Sequence, residues 1–210
     1  MDILGKLFGS ILRVKLLRTF LFNPTTAYDA ETLTKRAQSK LVDVKKELNL
    51  LIKISFVKEK VYVKEFEKKV KKGKKVVTEY AKKKVVGFAM NTAFEYGETL
   101  KKVLLDFQFL DRNAIADRFK KAGRVKFFAV SGVFLNSAEN RVDILIVGDS
   151  LNRSFVEGEV RKLEAEIGKD LVYALFETQD FLYRVQMYDK FVRDILDFQH
   201  ERLIEKMAIR

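Results

Sequence analysis

Apolar residues recur at helical spacing from the start of the chain: Leu4, Leu7, Phe8, Ile11 and Leu12, then Leu16, Leu17, Phe20 and Leu21. The pattern predicts an amphipathic helix over roughly 10–22. Asn23-Pro24 ends it, because the residue before a proline is pushed out of the helical region. Asp29 stands where an N-cap belongs and opens a second helix, AETLTKRAQ, with Leu33 and Ala37 inward. Ser39 caps a third, KLVDVKKELNLLIK, whose buried stripe is Leu41, Val44, Leu48 and Leu51. Lys40, Asp43, Lys46 and Asn49 face away from that stripe, and Lys45 stands at its edge. The period then changes. FVKEKVYVKEFEKKVKKGKKVVTEYAKKKVVGFAMN, from Phe56 to Asn91, is rich in Val, Tyr and Phe with Gly73 near its middle, which predicts a long β-hairpin. About fourteen residues per arm would reach ~45 Å, with Lys71, Lys72, Lys74 and Lys75 at the tip.

Beyond Asn91 helices and strands alternate. Leu100, Val103, Leu104 and Phe107 define one helix, and Asp111 caps another that ends toward Gly123. VKFFAVSGVF and RVDILIVG are continuous apolar runs of strand type. Val156, Val160, Leu163 and Ile167 mark a helix closed by Gly168, DLVYALFE a third strand, and Phe181, Leu182, Val185, Tyr188, Val192, Ile195 and Leu196 the last helices. Apolar strands alternating with amphipathic helices imply a small mixed sheet covered by helices. The expected class is therefore α+β: a helical domain with a hairpin over 1–94, then an α/β domain over 95–210.

Composition narrows the chemistry. The 210 residues contain no Cys and one His, His200, so disulfides, thiolate metal sites and His-based zinc or triad sites lack material. No metal and no cofactor is expected. No run approaches the ~18 apolar residues of a membrane span. Lys6, Arg13, Lys15 and Arg18 interrupt the first apolar stretch, which therefore does not read as a targeting peptide. A cytoplasmic protein without a membrane partner is expected, with membrane-surface binding of the first helix a minor alternative. The net charge of +12 lies wholly in the first half: residues 1–94 hold 22 Lys and Arg against nine Asp and Glu, residues 95–210 hold 19 against 20. One half is built to meet a polyanion and the other is not.

SKLVDVKKELNLLIKISFV, with Val44, Leu48, Leu51 and then Phe56-Val57 leading into the hairpin, resembles the second helix and wing of winged helix-turn-helix DNA-binding domains. The resemblance implies that the third helix enters the major groove N-terminal end first and that the Lys-rich wing grips backbone. The candidate nucleic-acid contacts are Ser39, Lys40, Lys45, Lys46 and Asn49 on the helix, and Lys68, Lys69, Lys71, Lys72, Lys74, Lys75, Lys82, Lys83 and Lys84 on the hairpin.

VSGVFLNSAENRVDILIVGD, residues 130–149, raises a different expectation. A strand, a glycine turn, a strand carrying an aspartate, a helix and a strand resemble the minimal nucleotidyltransferase domain of the polymerase-β type. That family holds phosphates on a Gly-Ser turn and two Mg²⁺ ions on an Asp-x-Asp pair. Here Gly132 matches the glycine and Asp143 the second aspartate, but Val133 replaces the serine and Arg141 the first aspartate. A guanidinium in place of a carboxylate shifts the local charge by two units away from what two dications need. Arg141 is expected to pair with Asp143 or a neighbouring acid, Asp143 to be a structural acid, and the domain to be a pseudoenzyme without catalytic residues.

End to end, the chain resembles a set of candidate-phylum bacterial proteins that join a winged helix, a Lys-rich wing and a degenerate nucleotidyltransferase-like domain. LFGS at 7–10, LFNP at 21–24, VSGVF at 130–134, RVDILIVGD at 141–149, FET at 176–178 and RDILDF at 193–198 carry that resemblance. The expected function is a DNA-binding transcriptional regulator whose second domain serves homodimerisation or partner contact. An RNA- or ribosome-associated protein is the alternative, and an active nucleotidyltransferase the second.

Overall fold

The computed structural model describes residues 3–72, 75–107, 111–137 and 139–208, and the side chains of all of these except 67–72 and 75–79. The described residues form a mixed α and β structure with nine α-helices and two small sheets. The chain divides into two compact units, Met1–Lys101 and Lys102–Arg210. No helix among the described residues is long and apolar enough to cross a membrane.

The first unit begins with α1 (Ile3–Leu7) and α2 (Ile11–Phe22), separated at Gly9, where φ is +75°. Ser10 caps α2, its hydroxyl accepting from the Arg13 N–H at 3.2 Å. The Arg13 guanidinium then donates to the Phe8 carbonyl at 2.7 Å and to the Glu47 carboxylate at 2.8 Å. α2 is not the amphipathic helix its spacing predicts. Val14, Leu16, Leu17, Phe20 and Leu21 are buried together with Arg18 and Thr19. Polar side chains are tolerated there because they find partners: the Thr19 hydroxyl donates to the Lys15 carbonyl, and Lys15 Nζ to the Ala37 carbonyl.

Asp29 caps α3 (Ala30–Ala37), and Leu33 and Ala37 point inward as expected. α4 (Leu41–Lys53) buries Val44, Leu48 and Leu51 against α2, with Phe20 and Phe56 meeting edge to face at 6.4 Å. Two expectations fail at the start of α4. Its N-cap is Lys40, not Ser39, and makes no side-chain cap bond. Gln38 closes α3 in the left-handed region, and the Ser39 N–H is used on the Thr34 carbonyl, so the chain enters α4 one residue later. Leu41 is exposed, because this first turn lies beyond the Val44–Leu51 core.

β1 (Val57–Lys72) and β2 (Lys75–Met90) pair antiparallel with no slip, from Val57 opposite Met90 to Lys72 opposite Lys75. Each arm has 16 residues, a hairpin of about 50 Å at ~3.4 Å per residue. Ser55 makes the sharp entry from α4 at φ 61°, a left-handed position held by a side chain that gains nothing from it. A short bridge between Tyr28 and Phe88 ties the hairpin base to the α2–α3 loop.

In the second unit the sheet order is β5-β4-β3-β6. β3 (Arg124–Val130) pairs antiparallel with β4 (Ile144–Asp149) and with β6 (Glu201–Glu205), and β4 pairs parallel with β5 (Tyr173–Glu177). Helix α7 (Arg153–Ile167) makes the crossover between the parallel strands. α5 (Gly97–Leu104) straddles the boundary between the units. It is shorter than its apolar run suggests and leaves Val103 exposed; residues 108–110 of that run lie outside the described residues. Both faces of the sheet are covered. Phe127, Ala129, Leu145 and Val147 pack with Phe181, Val192 and Ile195 of α8 (Thr178–Gln186) and α9 (Lys190–Asp197). On the other face Phe128 meets Phe119 of α6 (Arg112–Phe119). β6 is a strand that apolar spacing does not announce.

Candidate functional site

The antiparallel register sorts the hairpin side chains onto two faces, because opposed residues share a face. Between 57 and 66 and between 80 and 90, one face carries Lys58, Lys60, Lys64 and Lys83 with no acid. The other carries Glu59 and Glu65 against Lys82 and Lys84, with Val61, Val63 and Val86 exposed between them. The all-cation face turns toward the helices. Lys60 Nζ donates to the Thr25 carbonyl at 3.2 Å, and Tyr62 and Lys64 both reach Asp29.

Asp29 is the joint between helices and hairpin. Its carboxylate accepts from the Thr32 N–H and the Tyr62 hydroxyl, each at 2.8 Å, and from Lys64 Nζ at 2.6 Å. Burial alone would raise its pKa, but Lys64, the Thr32 N–H and Tyr62 outweigh burial and hold the carboxyl far below the usual aspartate value. The hydrogen bond from Lys64 to Asp29 in turn raises the Lys64 ammonium. Burial, followed by Asp29, raises the Tyr62 phenol. The Tyr62 ring lies where any side chain at Gly87 would stand, so this close approach requires a glycine in mid-strand.

Between this face and the helices lies a cleft of about 570 Å³, with Asp29 and Glu31 at the start of α3, Leu41 and Lys45 on the α4 side, and Lys64, Phe66, Lys83 and Val85 on the hairpin side. Lys40, Lys45, Lys46 and Asn49 are exposed on α4, as expected, and so is Asp43. Lys40, Lys45, Lys46, Lys83 and Lys84 form no ion pair among the described residues. Lys82 is held by Glu65 at 2.8 Å on the outer face. Lys45 and Lys83 thus come together, whereas Lys82 and Lys84 stand on the opposite face. The side chains of Lys68, Lys69, Lys71, Lys72 and Lys75, and all of Lys74, lie outside the described residues. Lys58, Lys60, Lys64 and Phe66 escape sequence reasoning. The alternation of Lys along Val57–Phe66 was the available signal, but only the register shows that those lysines share a face with Lys83.

The second candidate, the turn between β3 and β4, is closed by its own aspartate. Asp143 is buried. Its Oδ1 accepts from the Val133 N–H at 2.8 Å and its Oδ2 from the Val172 N–H at 2.9 Å. The Ser131 hydroxyl donates to the Val142 carbonyl. Gly132 has φ +54°, and a Cβ there would run into the Asp143 carboxylate. Asp143 therefore clasps the turn to the strand entering β5. Arg141 reaches away from it to Asp194 of α9, with Nε at 2.7 Å. Glu177 accepts from the Ser150 and Leu151 N–H groups. No group of three or more His, Cys, Asp or Glu that could hold a metal ion occurs among the described residues.

Comparison with protein-family models, with curated proteins and with solved structures returns no match for this chain.

Proposed function

We propose that the N-terminal unit is a winged helix and that the protein binds DNA as a transcriptional regulator. α3, the short turn at Gln38–Lys40, α4 and the hairpin supply the helix-turn-helix and wing of this reading. The observation that carries it is the sorting of charge. Between 57 and 66 and between 80 and 90 the hairpin face turned toward the helices bears cations and no acid, and it meets the unpaired Lys45 of α4 across one cleft whose single uncommitted acid is Glu31 of α3. A self-association surface would not concentrate one sign of charge, whereas a phosphate backbone requires it. The C-terminal unit, in this reading, is a catalytically inactive nucleotidyltransferase-like domain that serves homodimerisation or partner contact. The antiparallel β3–β4 pair, the α7 crossover and the parallel β5 support the likeness. The Asp143 clasp and the Arg141–Asp194 pair support the absence of catalysis.

The test is to pass genomic DNA fragments and cellular RNA together over the immobilised full chain at about 150 mM salt, where surface charges are screened beyond ~8 Å, and to sequence what is retained. An enriched DNA motif is expected. Retained DNA without a motif, or retention of RNA alone, defeats the regulator. Incubation with Mg²⁺ and labelled nucleotides is expected to give no transfer, and transfer lost in Asp143→Ala overturns the pseudoenzyme.

A further inference from the structure

The cleft between the inner hairpin face and the helices is not a plain cationic groove. Phe66 is 42% exposed and stands opposite Ala81, a residue too small to cover its ring. Leu41 and Val85 extend this apolar surface, with Lys45 on the helical side and Lys83 on the hairpin side. Asp29 contributes no free charge, since both its oxygens are taken. Glu31 lines the same cleft and makes no hydrogen bond or ion pair among the described residues.

Resting on the DNA-binding reading above, we propose that this cleft receives one unpaired nucleotide of the bound DNA. Its base stacks on Phe66 and its flanking phosphates lie against Lys45 and Lys83. A closed duplex keeps its base faces stacked on one another and offers an aromatic ring nothing, so the ring and its apolar surround answer only to a base out of the stack. Glu31 is an acceptor without a donor, and repels phosphate. It fits an exocyclic amine, which adenine, cytosine, guanine and 2-aminopurine carry and thymine lacks.

The full chain is titrated with three DNAs of one sequence: a perfect duplex, the same duplex with a single bulged 2-aminopurine, and one with a bulged thymine. Affinity is followed by fluorescence anisotropy and stacking by 2-aminopurine emission. The bulged 2-aminopurine duplex is expected to bind at least about fivefold tighter than the perfect duplex, the low end for one base on an aromatic ring. Its emission falls on binding, and bulged thymine gains less. Phe66→Leu keeps an apolar side chain and abolishes both the preference and the quench. Phe66→Tyr retains both. Equal affinity for bulged and perfect duplexes with no quench overturns the cleft assignment and leaves DNA binding standing. Failure of all three DNAs to bind overturns the DNA-binding reading, and this inference with it.

Discussion

In the C-terminal unit many of the charged side chains are spent on one another. Arg141 pairs with Asp194, Arg118 with Glu166, Lys126 with Asp149, and Arg184 with both Asp180 and Asp189. In the N-terminal unit two acids hold the frame. Glu47 takes Arg13, Asp29 takes Lys64, and the surplus lysines are left facing solvent on α4 and the hairpin. Two aspartates show the contrast at atomic scale. Asp143 stands where spacing alone suggests a transferase carboxylate, and backbone N–H groups use both of its oxygens. Asp29 is equally committed, but its commitment orients a cationic face. Residues that look catalytic by spacing are structural here, and an N-cap that looks structural sets the geometry of the candidate interface.

The contrast can be broken first by charge removal. Changing Lys45, Lys58, Lys60 and Lys83 together to Ala should weaken DNA binding about 10²- to 10³-fold near physiological salt. It should also flatten the plot of log K against log salt by ~0.9 for each phosphate no longer neutralised. Removing the same number of cations from the other unit, at Lys121, Arg153, Lys190 and Lys206, should leave affinity within about twofold. Comparable losses from both sets would dissolve the distinction between the units.

The clasp comes next. Asp143→Ala leaves the Val133 and Val172 N–H groups without their acceptor, and should cost about 2–3 kcal/mol in denaturant unfolding. It should not change DNA affinity. Gly132→Ala should fail in the same way, through the collision with Asp143.

A smaller effect is expected at Asp29→Asn. Asn still caps α3, so the loss is that of the Lys64 ion pair, about 1–2 kcal/mol. Because the native Asp29 pKa lies below its unfolded value of ~3.9, its contribution is full above about pH 4 and is lost as the pH falls through the depressed native value. The variant should therefore unfold with a shallower acid limb. It should also bind DNA more weakly, since the hairpin loses its anchor. Least of all, Ser55→Gly should stabilise the protein by about 0.5–1 kcal/mol, by relieving a left-handed residue at the entrance to β1.

Much of the frame was legible in local pattern. The caps at Asp29 and Asp111, the stop at Asn23-Pro24, the hairpin and the continuous apolar strands β3 and β4 all follow from residue chemistry within a few positions. What escaped depends on residues far apart in the chain. α2 spaces its apolar residues like an amphipathic helix, yet Arg18 and Thr19 are buried with them; the Thr19 hydroxyl is met by the Lys15 carbonyl one turn back, and Lys15 Nζ reaches the Ala37 carbonyl of α3. β6 carries only Leu203 and Ile204 among polar residues, and is a strand because the edge of β3 is open to it. The sorting of Lys58, Lys60, Lys64 and Lys83 onto one hairpin face needs the pairing register. Glycine at 87 hints at a close approach but does not name Tyr62. In the turn at Gly132 spacing pointed to a lost transferase site, and only the two N–H donors at Asp143 show what the carboxylate does instead.

In the proposed function one hairpin face, and not the hairpin's charge in bulk, meets the polyanion. Two charge-matched variants of the full chain separate these. Lys58→Glu with Lys83→Glu acts on the inner face, and Lys82→Glu with Lys84→Glu on the outer. In salt titrations of DNA affinity, the inner pair should weaken binding by about a hundredfold or more and flatten the salt slope by ~0.9 for each of two phosphates, while the outer pair stays within about fivefold. Equal losses and equal slopes for the two pairs would contradict the account.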